Sequence, residues 1–131
     1  MKRLAALAVG VAALSSIPLM GQTAGVGDRT TPLRPVAAEG NVGISNAVLL
    51  DQNDARILRL VVEPGGTRIR HQHDDVPFHL FIPISGPMRL NLEGTTVELK
   101  PWQPYLMKRS TSHGFHNPGA SPVEIMEVFI K

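Results

Sequence analysis

Three of the chain's five histidines, His71, His73 and His79, fall within nine residues, and the other two, His113 and His116, lie close together further on. Imidazole is the commonest protein ligand for a transition metal, so this clustering points first to metal chemistry. His71 and His73 are two positions apart, and on a strand that spacing turns both rings to one face, as neighbouring ligands of one ion require. An exposed polar pair would have the same spelling. His79 opens a run in which His79, Phe81 and Pro83 alternate with Leu80, Ile82 and Ile84. A histidine on such an apolar face needs a partner once buried, whether a metal or a backbone group. His113 shares its parity with Asn117 in an extended segment, whereas His116 has the opposite parity and is the weaker ligand candidate.

Short β-type runs must position these rings. After the small apolar run Ala47 to Leu50 and the turn Asp51 to Asp54, the segment 56–63 (RILRLVVE) reads as a strand ended by Pro64-Gly65-Gly66. A second strand is expected over 67–73, with Arg68 and Arg70 opposite Ile69, His71 and His73. Further strands are expected over 78–84, 88–92, 95–99, 105–108 and 122–130, with Glu93-Gly94 as a hairpin turn. Short strands with Gly and Pro punctuation predict an all-β sandwich or small barrel, with no helix, repeat or low-complexity tract.

The spacing resembles the two motifs of the cupin superfamily. Gly65-x5-His71-x-His73, closed by Gly86, is similar to the first, G-x5-H-x-H-x(3,4)-E-x6-G. His113-x3-Asn117 is similar to the end of the second, G-x5-P-x-G-x2-H-x3-N, whose start then falls at Trp102. The intermotif stretch, Pro87 to Pro101, is fifteen residues long, and the resemblance covers roughly 47–131. Two departures stand out. Counting back from Gly86 places His79 where the family has its glutamate, and Trp102, Lys108 and Ser110 stand where the second motif has Gly, Pro and Gly.

The resemblance implies a double-stranded β-helix, a small jelly-roll-like β-barrel, with His71, His73 and His113 as metal ligands at its mouth. His79 is added as a fourth candidate, so a three-histidine and a four-histidine site are both open. The expected cofactor is one divalent transition metal. An all-imidazole set accepts Fe, Zn, Ni or Cu, because no hard carboxylate favours Mg or Mn. Three ligands leave a position for water or substrate, whereas four close a tetrahedral site. The leading expectation is a metal-dependent enzyme on a small organic molecule, dioxygenase-like by the resemblance. A non-catalytic module binding a metal or small ligand is the alternative, and a barrel whose histidines bind nothing is a third. The resemblance also implies a homodimer paired through sheet edges.

Other residues carry less. Arg68 and Arg70 read as a solvated face rather than an anion site, and Asp74-Asp75 as a charged loop rather than support for a ligand histidine. Trp102, Phe78, Phe81, Phe115 and Phe129 read as core or rim. No nucleophile–base arrangement, phosphate loop or informative carboxylate pair is present.

The N-terminus sets the compartment. Met1-Lys2-Arg3, the uncharged Leu4 to Met20 and the small residues that follow have the layout of a secretory signal peptide over 1–24. Ser15, Ser16 and Pro18 interrupt the apolar run and favour cleavage over anchoring, so no stable membrane span is expected and the chain should be periplasmic or secreted. Cleavage removes two of thirteen basic residues, leaving eleven against eleven acidic ones. That balance excludes the clustered basic face of a nucleic-acid binder. Residues 25–46, with Pro32 and Pro35, read as an extended arm, and 47–131 as the single barrel domain. With no cysteine, the fold has no disulfide to rely on.

Overall fold

The computed structural model describes residues 26–131, so the expected signal segment lies outside the described residues. These form β-strands and connecting segments only: β1 (Arg34–Pro35), β2 (Val42–Asp51), β3 (Ala55–His71), β4 (Phe78–Pro83), β5 (Met88–Leu92), β6 (Thr95–Leu99), β7 (Tyr105–Lys108), β8 (His113–His116) and β9 (Val123–Ile130). The all-β expectation holds. All pairings are antiparallel, and the strands follow the order β6-β5-β8-β3-β9-β4-β7, with β2 added to β3 and β1 to β2. The strand holding Ala47 begins at Val42, and the preceding arm pairs with it through Arg34 and Pro35.

β1 and β8 are strands that the sequence does not mark, and one expected strand end is absent. Pro64-Gly65-Gly66 does not end a strand but bends one. β3 runs continuously to His71, pairing with β9 from Ala55 to Val62 and with β8 from Thr67 to His71. Gly65 takes φ +72° at the bend, a conformation glycine adopts without the Cβ penalty. Backbone bonds from Gly65 N to Asn117 O (3.1 Å) and from Asn117 N to Gly66 O (3.0 Å) hold the crossing together. Pairing on both sides of the bend thus replaces the turn that Pro-Gly-Gly spells locally.

The curled sheet encloses an apolar core. Alternation on β4, β5 and β9 sends Phe81, Leu90 and Ile125 inward, where they meet Leu60, Val62, Met88 and Phe115. Each such fully buried side chain contributes about 1.5–3 kcal/mol relative to exposure. The same period of two delivers His79 from β4, His113 from β8 and Glu127 from β9 to the interior.

Candidate functional site

His71 ends β3, His73 follows it by two residues, and His113 begins β8; the Cα register pairs His71 with His113 directly. One ring nitrogen from each of these three imidazoles lies within 4.8 Å of the others, close enough for all three to hold one ion. His71 and His113 have ring centroids 4.3 Å apart, His71 and His73 5.0 Å, and His73 and His113 5.4 Å.

Local backbone chemistry sets which nitrogen is free. His71 Nδ1 lies 3.0 Å from the carbonyl of Ile69, and His113 Nδ1 2.8 Å from that of Thr111. A carbonyl only accepts, so each Nδ1 carries the proton and each Nε2 keeps its lone pair, the tautomer a metal ligand needs. Nε2 of His73 and of His113 is buried with no protein hydrogen-bond partner. A neutral ring nitrogen left so carries a desolvation cost, and a cation is the partner whose chemistry fits it. Burial is also the main cause that brings the imidazoles of His73 and His113 down to about 4, with neighbouring histidines adding to it. His71 is lowered for the same first reason. Neutral imidazoles at ordinary pH are ligands that need not first lose a proton.

His79 lies beside this group but is not one of the three whose ring nitrogens lie within 4.8 Å of one another, and it is held differently. Its ring is 2% exposed, with its centroid 5.0 Å from both His73 and His113, and it stacks on Phe129 at 4.3 Å and 12°. Its Nε2 faces a carboxylate the sequence reading did not single out. Glu127 Oε1 lies 3.4 Å away, within ion-pair reach but outside aligned hydrogen-bond geometry. Glu127 is 5% exposed. Burial works to raise its carboxyl, but the contact with His79 and the charges of the imidazoles outweigh that and hold it below the usual carboxylate range. The signal for Glu127 was in the sequence: inward alternation on β9 runs Val123, Ile125, Glu127, Phe129, one carboxylate in an apolar row.

The remaining expectations sort cleanly. His116 is turned away from the cluster, with Nδ1 3.0 Å from Thr67 Oγ1. Asn117, wholly buried, acts as a clamp: Nδ2 donates to Val62 O (3.0 Å) and Ser121 O (2.8 Å), and Oδ1 accepts from Gly119 N (2.9 Å). Asp74 accepts from Ser110 Oγ (2.6 Å) and Gln72 Nε2 (2.9 Å), so it ties its loop and supports no histidine. Arg70 donates to the carbonyl of Leu92, and Phe81 and Phe115 are core.

The degenerate second motif has a structural counterpart. Trp102 (φ +66°) and Ser110 (φ +62°) are the two described non-glycine residues with positive φ, and they occupy the places where the resemblance expects glycine. The left-handed backbone is retained although the residue type that makes it cheap is absent. Ser110 N donates to His73 O (2.9 Å), so this strained turn bears directly on the loop that carries a cluster imidazole.

The rings of His73, His79 and His113 border a narrow void that does not admit a water-sized sphere, with Val76, Met107, Lys108 and Thr111 completing its wall. A larger trough of about 500 Å³ lies elsewhere, lined by Arg68, Arg70, Asn91 and Gly114, and no imidazole reaches it.

Comparison with curated proteins finds no match. Among solved structures, the fold is similar to the polyketide cyclase RemF from Streptomyces resistomycificus, with a TM-score of 0.70 and 20% identity over 86% of this chain and 80% of that one. It is similar to KdgF from Halomonas sp. (TM-score 0.64, 18% identity, 76% and 88% covered). It is also similar to a predicted oxalate decarboxylase from Thermotoga maritima (TM-score 0.64, 26% identity, 70% and 84% covered). The cupin domain family matches residues 58–129, a span that takes in the bend and most of β3, all four clustered histidines and Glu127, and this chain therefore belongs to the cupin family.

Proposed function

We infer that His71, His73 and His113 hold one divalent transition metal, with His79 as a fourth imidazole beside them, and that the protein is an exported metal-dependent enzyme on a small organic molecule. The observation that carries the reading is the set of buried ring nitrogens without protein partners, brought together from three separate parts of the chain. The donor set suits iron, zinc, nickel or copper. Such a metal supplies Lewis acidity and, for iron or copper, one-electron chemistry toward oxygen. The chain's own residues do the rest. Carbonyls of Ile69 and Thr111 hold the His71 and His113 tautomers, while Phe129, Val76 and Met107 keep the rings away from water. The enzyme names carried by the cyclase and the decarboxylase among the structural neighbours favour catalysis, and dioxygenase-type oxidation is the reaction class proposed.

A binding module without turnover is the second reading. It is favoured by the narrowness of the void and by the fourth imidazole, which together would saturate an ion.

Metal content of the mature chain, purified without chelator and measured by plasma mass spectrometry, tests both. Near-stoichiometric iron, nickel or copper is expected, lost in His71→Ala and His73→Ala and kept in His116→Ala. Equal metal in all three variants refutes the ligand set. Oxygen uptake with small phenols and thiols then separates enzyme from binder.

A further inference from the structure

We propose that Glu127 is the carboxylate of this metal site, acting on it from the last strand through His79. The inference rests on the metal reading above and adds to it the residue that balances the charge.

Four imidazoles bring no negative charge, so a divalent cation among them would sit as an uncompensated charge at the end of an apolar barrel. Such burial costs several kcal/mol unless an opposite charge is near. Glu127 is the carboxylate that the strand register brings there: β4 and β9 pair with Phe81 opposite Glu127 and His79 opposite Phe129. Glu127 in turn occupies an inward position where every neighbour in its alternating row is apolar. Without a cation nearby, the carboxylate has only the imidazoles to offset its burial; with one, it is also the counter-charge.

The path runs through His79. Its ring plane is set by the stack on Phe129, and its Nε2 edge is turned to Glu127 Oε1 at 3.4 Å. Both ring nitrogens, Nδ1 and Nε2, are buried without an aligned hydrogen-bond partner. A carboxylate that closed from 3.4 Å onto Nε2–H would fix the ring with the Nδ1 lone pair free, the arrangement by which outer carboxylates support metal-bound histidines. His79 stands where the first motif would place its glutamate. In this chain the imidazole has taken the strand β4 position, and the carboxylate comes from β9 behind it.

The test uses Co²⁺ as the probe on the mature chain, reading affinity by competition with a chromophoric chelator and coordination by the visible ligand-field spectrum. Glu127→Gln should weaken Co²⁺ binding about 10- to 100-fold and shift the spectrum. Its metal-free melting temperature should fall only modestly, since the contact with His79 is lost together with the burial cost of the charge. Glu127→Asp should recover part of the affinity. In a His79→Ala background, Glu127→Gln should cost almost nothing further, because the link is gone. Unchanged Co²⁺ affinity in Glu127→Gln, or an equal loss with and without His79, would overturn the inference while leaving the metal reading intact. If Glu127→Gln does not fold, Glu127→Asp decides: parent affinity and spectrum overturn the proposal, and a partial loss with a shifted spectrum supports it. Failure of the parent chain to take up Co²⁺ or any other transition metal would overturn both.

Discussion

The two ends of the barrel interior are built from the same strands and hold opposite chemistry. β4 places Pro83 toward one end and His79 toward the other, with Phe81 between them opposite Glu127, and β9 places Val123 and Ile125 toward the first end and Phe129 toward the second. At the first end, apolar side chains from β2, β3, β5 and β8 close a core, and the buried Asn117 beside it has its amide hydrogen-bonded. At the second, imidazoles and a carboxylate are buried with few protein partners. The contrast separates stability from function. One end supplies the burial that holds the sheet curled, and that surplus lets the other keep polar groups in arrangements a purely structural protein would not keep.

The sharpest break of this comparison is a core truncation. Met88→Ala, at the end of β5 away from the Leu92–His113 pairing, should cost about 2–5 kcal/mol of unfolding free energy, read by denaturant titration, while any fraction that remains folded keeps its metal. Loss of metal from folded Met88→Ala would show that the two ends are not separable.

Acid should act on the opposite end. His73 and His113 take up a proton at about 4 in the folded chain but near 6.5 when unfolded. As pH falls below 6.5, the unfolded state therefore gains protons first, and stability present above 6.5 is lost progressively down to about 4. Glu127, also lowered, extends the loss in the same direction below the usual carboxylate range. For the metal-free chain the two histidines together should account for about 2–3 kcal/mol once their partial exposure is discounted. His73→Gln/His113→Gln should flatten the profile, and an unchanged slope between pH 7 and 4.5 would remove the histidines as its cause.

Asn117 belongs to the first end, where it clamps the loop between β8 and β9 onto Val62 of the core. Asn117→Ala leaves Val62 O, Ser121 O and Gly119 N without this partner, a loss of about 2 kcal/mol. Amide exchange should show it concentrated around 117–122, whereas uniform exchange through β3 would argue against a local clamp.

The smallest effect has the opposite sign. Trp102 is 72% exposed and holds φ +66°. Trp102→Gly should relieve about 1 kcal/mol of backbone strain and raise the melting temperature slightly. A clear drop would mean that the indole packs more than its exposure suggests.

The parts legible in the sequence were the local ones. Strand and turn spelling marked out nearly every element, and the parity of His79, Phe81 and Pro83 was read correctly because side-chain alternation depends on one strand alone. The bend in β3 was misread for the complementary reason. Pro64-Gly65-Gly66 has the composition of a strand end, and only pairing with β9 before it and β8 after it carries the strand through. Trp102 and Ser110 looked like losses from the second motif, yet a backbone conformation is not a residue type, and the φ angles show it kept.

The sequence by itself determined an all-β chain with a cluster of imidazoles at ligand spacing, because both follow from periodicity and separation along one segment. Only the tertiary structure decided that Glu127 meets His79 and that His116 finds Thr67, while the closing of His113 on His71 matches what the motif resemblance implied. Those meetings depend on the register between strands distant in the chain. A slip of one residue on β9 would turn Glu127 out to solvent and bring an apolar neighbour in.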